Sequence, residues 1–214
     1  MKEPKFLINS TIAHRGVHYK YLENSLKAFE ETIKLNYTIE LDVRLTKDKE
    51  IIVFHDSNLK RIFEIDRDIN DLTLNEIKKY KYISTLKEVL EKVNKKVPII
   101  IDIKFDKGIE KILTNILDNY DGIFTIQSFN PFTIYWFKIN RPNYIRGYLI
   151  YKFLYLKSLL FLLRPNYIAT NLDNLKKLNK YRNKFIIIGY TIKNKKEYQK
   201  YKSYADNFIY DIHE

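Results

Sequence analysis

The chain has 214 residues, a formal net charge of +12 and no cysteine. Its length suits one domain, residues 1–214, with a sizeable core, and the missing cysteines exclude disulfides and thiolate metal sites. The opening MKEPKFLINSTIAHRG lacks a long apolar run, so no signal peptide is expected, and together with the absence of cysteine this suggests the cytoplasm.

In chain order, the first apolar run of strand length is 11–13, which leads into AHRG with His14, Arg15 and Gly16. A helical pattern over 25–35 follows Glu23 and Asn24, and Asn24 is placed to cap it. The second run, 38–43, reads as buried sheet yet carries Glu40 and Asp42. Removing each anion from water costs several kcal/mol or so, so something must compensate them. Residues 51–54 form a short run ending in His55 and Asp56. The pattern then gives a helix over 86–93, a strand over 98–103 with Asp102 and Lys104 at its end, and a helix over 109–117. A strand over 122–126 leads to Gln127 and Ser128, and a helix over 132–139 and a strand over 144–149 follow. The apolar stretch 148–164, broken by Lys152 and Lys157, is too short to cross a bilayer. It reads as a strand followed by a core-facing helix; the alternative is an apolar lip over 153–163 that touches lipid at a membrane surface. The chain closes with strands over 167–169, 185–190 and 207–210 and helices over 172–181 and 195–204, the last with Tyr198, Tyr201 and Ala205 at helical spacing.

Strand–helix alternation over this length predicts an α/β fold with a parallel sheet and helices outside it. If 51–54 extends the second unit, eight strands remain, as in a compact (β/α)8 TIM-type barrel with its site at the strand C-termini. An open doubly wound sheet is the competing architecture, but no glycine-rich phosphate fingerprint follows the first strand.

Side chains i and i+2 of a strand share a face. Glu40 and Asp42 therefore point one way, as do Asp102 and Lys104, while Ile39, Leu41, Val43, Ile101 and Ile103 point the other. In a barrel the charged sets meet inside the rim. Three converging carboxylates suit a hard divalent cation; a salt network with Lys104 and Arg15 is the structural alternative. Two of the four histidines, His14 and His55, fall at neighbouring strand ends, where they could serve as base and acid. His55 could instead complete a metal shell. His18 lies in a loop and His213 at the terminus, where it reads as a bystander. The positive charge suggests an anionic partner or compositional drift in a chain rich in Lys, Asn, Ile and Tyr; the lysines scatter along predicted helices, which favours drift.

Taken together, AHRG, LENSLKAF, IELDVRLTKDKEIIVFHD and IIIDIK, in that order, resemble the glycerophosphodiester phosphodiesterase family. TIQSFNP is similar to its S-F block and IIIGYTIKNKKE to its late V-W-T-V-N strand. The resemblance implies a (β/α)8 barrel, one divalent ion (Ca2+ or Mg2+) on Glu40, Asp42 and Asp102, and His14 and His55 as acid–base pair. It implies Arg15 and Lys104 as the phosphate-holding cations. It places Glu23, Asn24, Gln127, Phe129 and Tyr190 along the substrate pocket, with a small-molecule glycerophosphodiester as substrate. A neighbouring glycerol hydroxyl would attack first, giving a cyclic phosphate that water opens. This sequence departs from the family in having Asp102 for glutamate, Tyr190 for tryptophan, YADNFIYD for a glycine-rich ending, and an insertion reduced to 57–86. Rival readings are a lysophospholipase D working at a membrane and a non-catalytic phosphate or nucleic-acid binder. No nucleic-acid motif supports the latter.

Overall fold

The computed structural model describes residues 4–151 and 156–211. Its strands are β1 (Ile12–Ala13), β2 (Thr38–Leu45), β3 (Ile51–Val53), β4 (Ser84–Thr85), β5 (Ile99–Ile103), β6 (Phe124–Ser128), β7 (Arg146–Ile150), β8 (Tyr167–Asn171), β9 (Ile186–Ile192) and β10 (Asn207–Tyr210). Eight of these run parallel in the order β1-β2-β5-β6-β7-β8-β9-β10, and β1 pairs with both β2 and β10, so the sheet closes into a barrel. β3 lies antiparallel on β2, and β4 antiparallel on β3, outside the ring. The expected eight-stranded barrel is therefore present, with 51–54 as an extension of the second unit.

The helices are α1 (Phe6–Asn9), α2 (Leu26–Lys34), α3 (Lys60–Phe63), α4 (Leu74–Ile77), α5 (Leu86–Val93), α6 (Ile109–Leu117), α7 (Pro131–Asn140), α8 (Leu156–Leu163), α9 (Leu175–Leu178) and α10 (Lys195–Tyr201). Local chemistry sets their starts. Ser25 accepts the Ala28 N–H at the head of α2, Thr85 and Glu88 form a reciprocal capping box on α5, and Asn130 caps α7 ahead of Pro131. The helix expected over 172–181 is broken into a 3-10 turn (Leu172–Asn174), α9, and a second 3-10 turn (Asn179–Tyr181). Asn171 accepts the Asn174 N–H there, and asparagine side chains that bond nearby backbone compete with regular helix. α10 stops at Tyr201, so Ala205 is buried beyond the helix rather than on its face.

Two apolar layers hold the barrel. Outside the strands, Ile39, Leu41, Val43, Ile99, Ile101 and Ile103 pack with residues of α5 and α6. Inside, Leu7, Ile12, Ile100, Leu149, Tyr167, Ala169, Ile188 and Ile209 fill the lower half. Leu7 belongs to α1, an element that the apolar periodicity did not signal, and it plugs the N-terminal end. Asn207 Nδ2 ties it there by donating to Leu7 O (2.9 Å) and Ser10 O (2.8 Å). The shortened insertion is a folded unit, with Leu59, Ile69, Leu72, Ile77 and Ile83 packed on Ile52 and Phe54.

In α8 the residues Leu156, Leu160 and Leu163 are buried while Phe161 and Leu162 are exposed, so the described part of the apolar stretch packs as a core helix. Residues 152–155 of that stretch, with Phe153, and His213 lie outside the described residues. No helix among the described residues is long and apolar enough to cross a membrane. An open groove of about 1080 Å³ at the N-terminal end is lined by Pro4, Ile8, Arg164, Arg182, Lys184 and Asp206 among others. It contains none of the converging acids or imidazoles.

Candidate active site

β2 puts Ile39, Leu41 and Val43 against the helices, so Glu40 and Asp42 face the barrel interior. β5 does the same with Ile101 and Ile103 outside and Asp102 inside, and Asp42 and Asp102 are direct register partners. One oxygen from each of Glu40, Asp42 and Asp102 lies within 4.8 Å of the others, and all three residues are buried.

Two cations meet these acids. Lys104 Nζ is 2.7 Å from Asp42 Oδ1 and 2.6 Å from Asp102 Oδ2. Arg15 Nε is 3.1 Å from Asp42 Oδ2, and the Arg15 backbone N–H donates to Glu40 Oε2 at 3.1 Å. Asn24 Nδ2 donates to Asp42 Oδ2 at 2.8 Å and its Oδ1 accepts the Asp42 N–H at 3.3 Å. Burial works against the Asp42 anion, but Lys104 and Arg15 outweigh it and hold the carboxyl far below its usual range. Burial raises Glu40 well above the ordinary value, helped by repulsion from Asp42 and Asp102. Burial also raises Asp102 against the pull of Lys104, and Asp42 adds to the rise.

Three acids thus face two cations, and Asp102 Oδ1 is buried with no hydrogen-bond partner. The salt network expected as an alternative is present but leaves charge and an oxygen uncompensated. An all-oxygen donor set with an orphaned buried oxygen fits a hard divalent cation.

The loop after β1 explains the HRG motif. Arg15 (φ 53°) and Asn24 (φ 58°) are left-handed, and the Asn24 N–H closes onto Arg15 O at 3.0 Å. Gly16 (φ 78°) packs so tightly on α2 that a Cβ would lie 2.9 Å from Phe29 Cδ1. The cap of α2 is Ser25, so Asn24 is turned to Asp42 instead of capping the helix as one sequence reading had it.

The His14 N–H donates to Tyr210 O (2.9 Å) across the β1–β10 seam. Burial, then Arg15, push its imidazole down to about 4, against the opposing pull of Asp42 and Asp211. His55 is also lowered, by burial first, against the pull of Asp42. Its Nδ1 lies 2.6 Å from Asp56 Oδ1. Asp56 Oδ2 accepts from Arg61 Nε (2.6 Å), Arg61 donates twice to Glu23 (3.0 and 2.5 Å), and Glu23 Oε1 accepts from Arg15 NH1 (2.7 Å). A polar chain therefore links His55 to the acid cluster.

Gln127 is buried beside Asp102 in register and accepts from Tyr167 Oη at 3.1 Å. Tyr190 has a buried hydroxyl without a hydrogen-bond partner, and burial raises its pKa. Phe129 meets Tyr190 edge-on, with ring centroids 6.2 Å apart. Arg61, Tyr167 and Asp211 were not singled out from the sequence. Asp211 follows β10 as His14 follows β1, and Tyr167 has interior parity on β8, so both carried a positional signal. Arg61 sits in the insertion and carried none.

The site can hold a divalent cation, neutralise an oxyanion and shuttle protons. Residues 14–145 match the profile of the Glycerophosphoryl diester phosphodiesterase family. The chain is 33% identical over 144 residues to a glycerophosphodiester phosphodiesterase of Caldanaerobacter subterraneus, covering 58% of this chain and 59% of that protein. It is 34% identical over 127 residues to human lysophospholipase D GDPD1, covering 50% and 40%. These matches span less than two thirds of either relative. The crystal structure of a glycerophosphodiester phosphodiesterase from Thermotoga maritima superposes with a TM-score of 0.82 at 30% identity, over 94% of this chain and 93% of that one.

Proposed function

The chain belongs to the glycerophosphoryl diester phosphodiesterase family, and we propose that it hydrolyses glycerophosphodiesters to an alcohol and glycerol 3-phosphate. The observation that carries this reading is the convergence of Glu40, Asp42 and Asp102 with Arg15 and Lys104 at the strand ends that also carry His14 and His55. Glu40, Asp42 and Asp102 would hold a divalent ion, Ca2+ or Mg2+, which when bound offsets phosphate charge as a Lewis acid. Arg15 and Lys104 sit against the same acids and add positive charge where the transition state gains negative charge. An ammonium has three donors, of which two go to Asp42 and Asp102, so Lys104 retains one for a phosphate oxygen.

The two imidazoles have different surroundings. His14 is neutral at neutral pH and takes the proton of the attacking hydroxyl. A phosphodiester anion beside it adds negative charge that raises its basicity during turnover. His55 would act as the imidazolium: the Asp56 carboxylate accepts from Nδ1 and, with Asp42, favours the protonated ring, whose Nε2 proton goes to the departing alcohol oxygen. A glycerol hydroxyl already held beside the phosphorus is the favoured first nucleophile, because its effective concentration is high, and water then opens the resulting cyclic phosphate to glycerol 3-phosphate. Gln127, Phe129 and Tyr190 wall the pocket, with Glu23 and Asn24 fixing Arg15 and Asp42.

A second reading, a lysophospholipid as substrate, has its own support. The loop after β5, the first turn of α7 and the end of β7 expose Phe105 and Phe132 (each 79%) and Tyr151 (65%), apolar surface that an acyl chain would cover.

One experiment separates these readings: glycerol 3-phosphate release from glycerophosphocholine and alcohol release from lysophosphatidylcholine, each with Ca2+, Mg2+ and EDTA. The proposal expects activity on the first that chelation abolishes and added ion restores. Full activity after exhaustive chelation would rule out the metal role, and inactivity on every diester would sink the proposal.

A further inference from the structure

Beside the oxygen cluster lies a second set of donors. One ligand atom from each of His14, His18 and Asp211 lies within 4.8 Å of the other two. His18 Nε2 is 3.0 Å from Asp211 Oδ1. Metal–ligand bonds of about 2.0–2.1 Å at tetrahedral angles put ligand atoms roughly 3.3–3.4 Å apart, so this edge is within a few tenths of an ångström of the right length. His14 Nδ1 and His18 Nε2 are both buried atoms that make no hydrogen bond, despite the proximity of His18 to the carboxylate.

The donor chemistry differs from that of the neighbouring cluster. Two imidazole nitrogens and one carboxylate oxygen suit zinc, whereas three carboxylates suit a harder ion. Burial and Arg15 oppose positive charge at His14, but Asp211 and Asp42 act in the other direction, and Asp211 would ligate with its own charge.

We propose that His14, His18 and Asp211 form an inhibitory zinc site, in which the ion ties up His14 and stops it from accepting a proton. The site needs no change in the barrel: His14 and Asp211 follow adjacent strands β1 and β10, and His18 lies on the loop after β1. The inhibitory part rests on the proposed role of His14; the binding part does not.

The test is a Zn2+ titration of the whole chain against a chromophoric chelator in excess Mg2+, without substrate, alongside His18→Ala and Asp211→Asn. Wild type is expected to bind one more zinc ion than His18→Ala at micromolar zinc. Loss of a direct ligand should weaken that ion at least as much as loss of an outer-shell partner, about 10–100-fold, and Asp211→Asn should weaken it in the same direction. Without zinc, His18→Ala should turn over glycerophosphocholine as wild type does, and zinc inhibition should shift by the same factor as binding. Equal zinc binding by wild type and His18→Ala overturns the site, and binding without inhibition of an active enzyme overturns the inhibitory role. If no diester is hydrolysed, the titration still decides whether the site exists, and the failure belongs to the proposed function.

Discussion

His14 and His55 differ in what lies behind them. His55 has a carboxylate 2.6 Å from Nδ1, whereas His14 Nδ1 has no hydrogen-bond partner. If they are base and acid, His14→Ala and His55→Ala should each lower kcat by about 10²–10⁴-fold. Wild-type turnover of glycerophosphocholine by both purified variants would defeat the assignment. His14 also links stability to pH. Its folded value, about 4, lies below the unfolded value of 6.5. As pH falls through that window the unfolded chain binds the proton first, so folding loses stability, by up to about 3 kcal/mol, and above the window the penalty is absent. Denaturant unfolding of chelated protein from neutral to acidic pH should show a steeper loss in wild type than in His14→Ala. Parallel curves would show that His14 takes up its proton equally in both states.

At the scale of the element, the site depends on a strand that carries no site residue. Gly147 of β7 stands opposite Gln127 and Tyr167 in register, and a Cβ there would lie 2.2 Å from Tyr167 Cζ. The Tyr167 ring fills that space and its hydroxyl holds Gln127. Gly147→Ala should therefore displace the ring and destabilise the fold by about 1–3 kcal/mol, the usual range for an overfilled core; an unchanged urea midpoint would show that the ring moves freely. Elements of this kind also mark how far the sequence could be read. The regular strands were legible as continuous apolar runs because both of their faces are buried, and α2, α5 and α6 because their apolar spacing is set by burial on one face. Glu40, Asp42 and Asp102 were legible for the complementary reason: charge at interior parity in an apolar strand. α1 and the short turns around α9 were not, since four residues hold too little periodicity and their conformation is set by tertiary contacts. The pairing of Asn24 with Asp42 was equally invisible, because it depends on a left-handed backbone at Asn24 and a contact between residues 18 apart.

For the whole molecule, closure rests on its shortest parallel strand. β1 has two residues and must pair with β2 on one side and β10 on the other. Asn207 reinforces that seam by holding α1 under the barrel through two carbonyls. Asn207→Ala leaves both acceptors without it, and should cost about 1–3 kcal/mol, measured by chemical unfolding; a variant as stable as wild type would mean that the plug is held by Leu7 alone. The seam also orders assembly in time. His14 is among the first site residues to leave the ribosome, yet its backbone is anchored on Tyr210, nearly two hundred residues later. A nascent chain can gather its acids on β2 and β5 long before then, but β1 has only one of its two neighbours, and the His14 N–H lacks its Tyr210 acceptor, until β10 is made. If His14 is the base, chemistry at this mouth waits for β10.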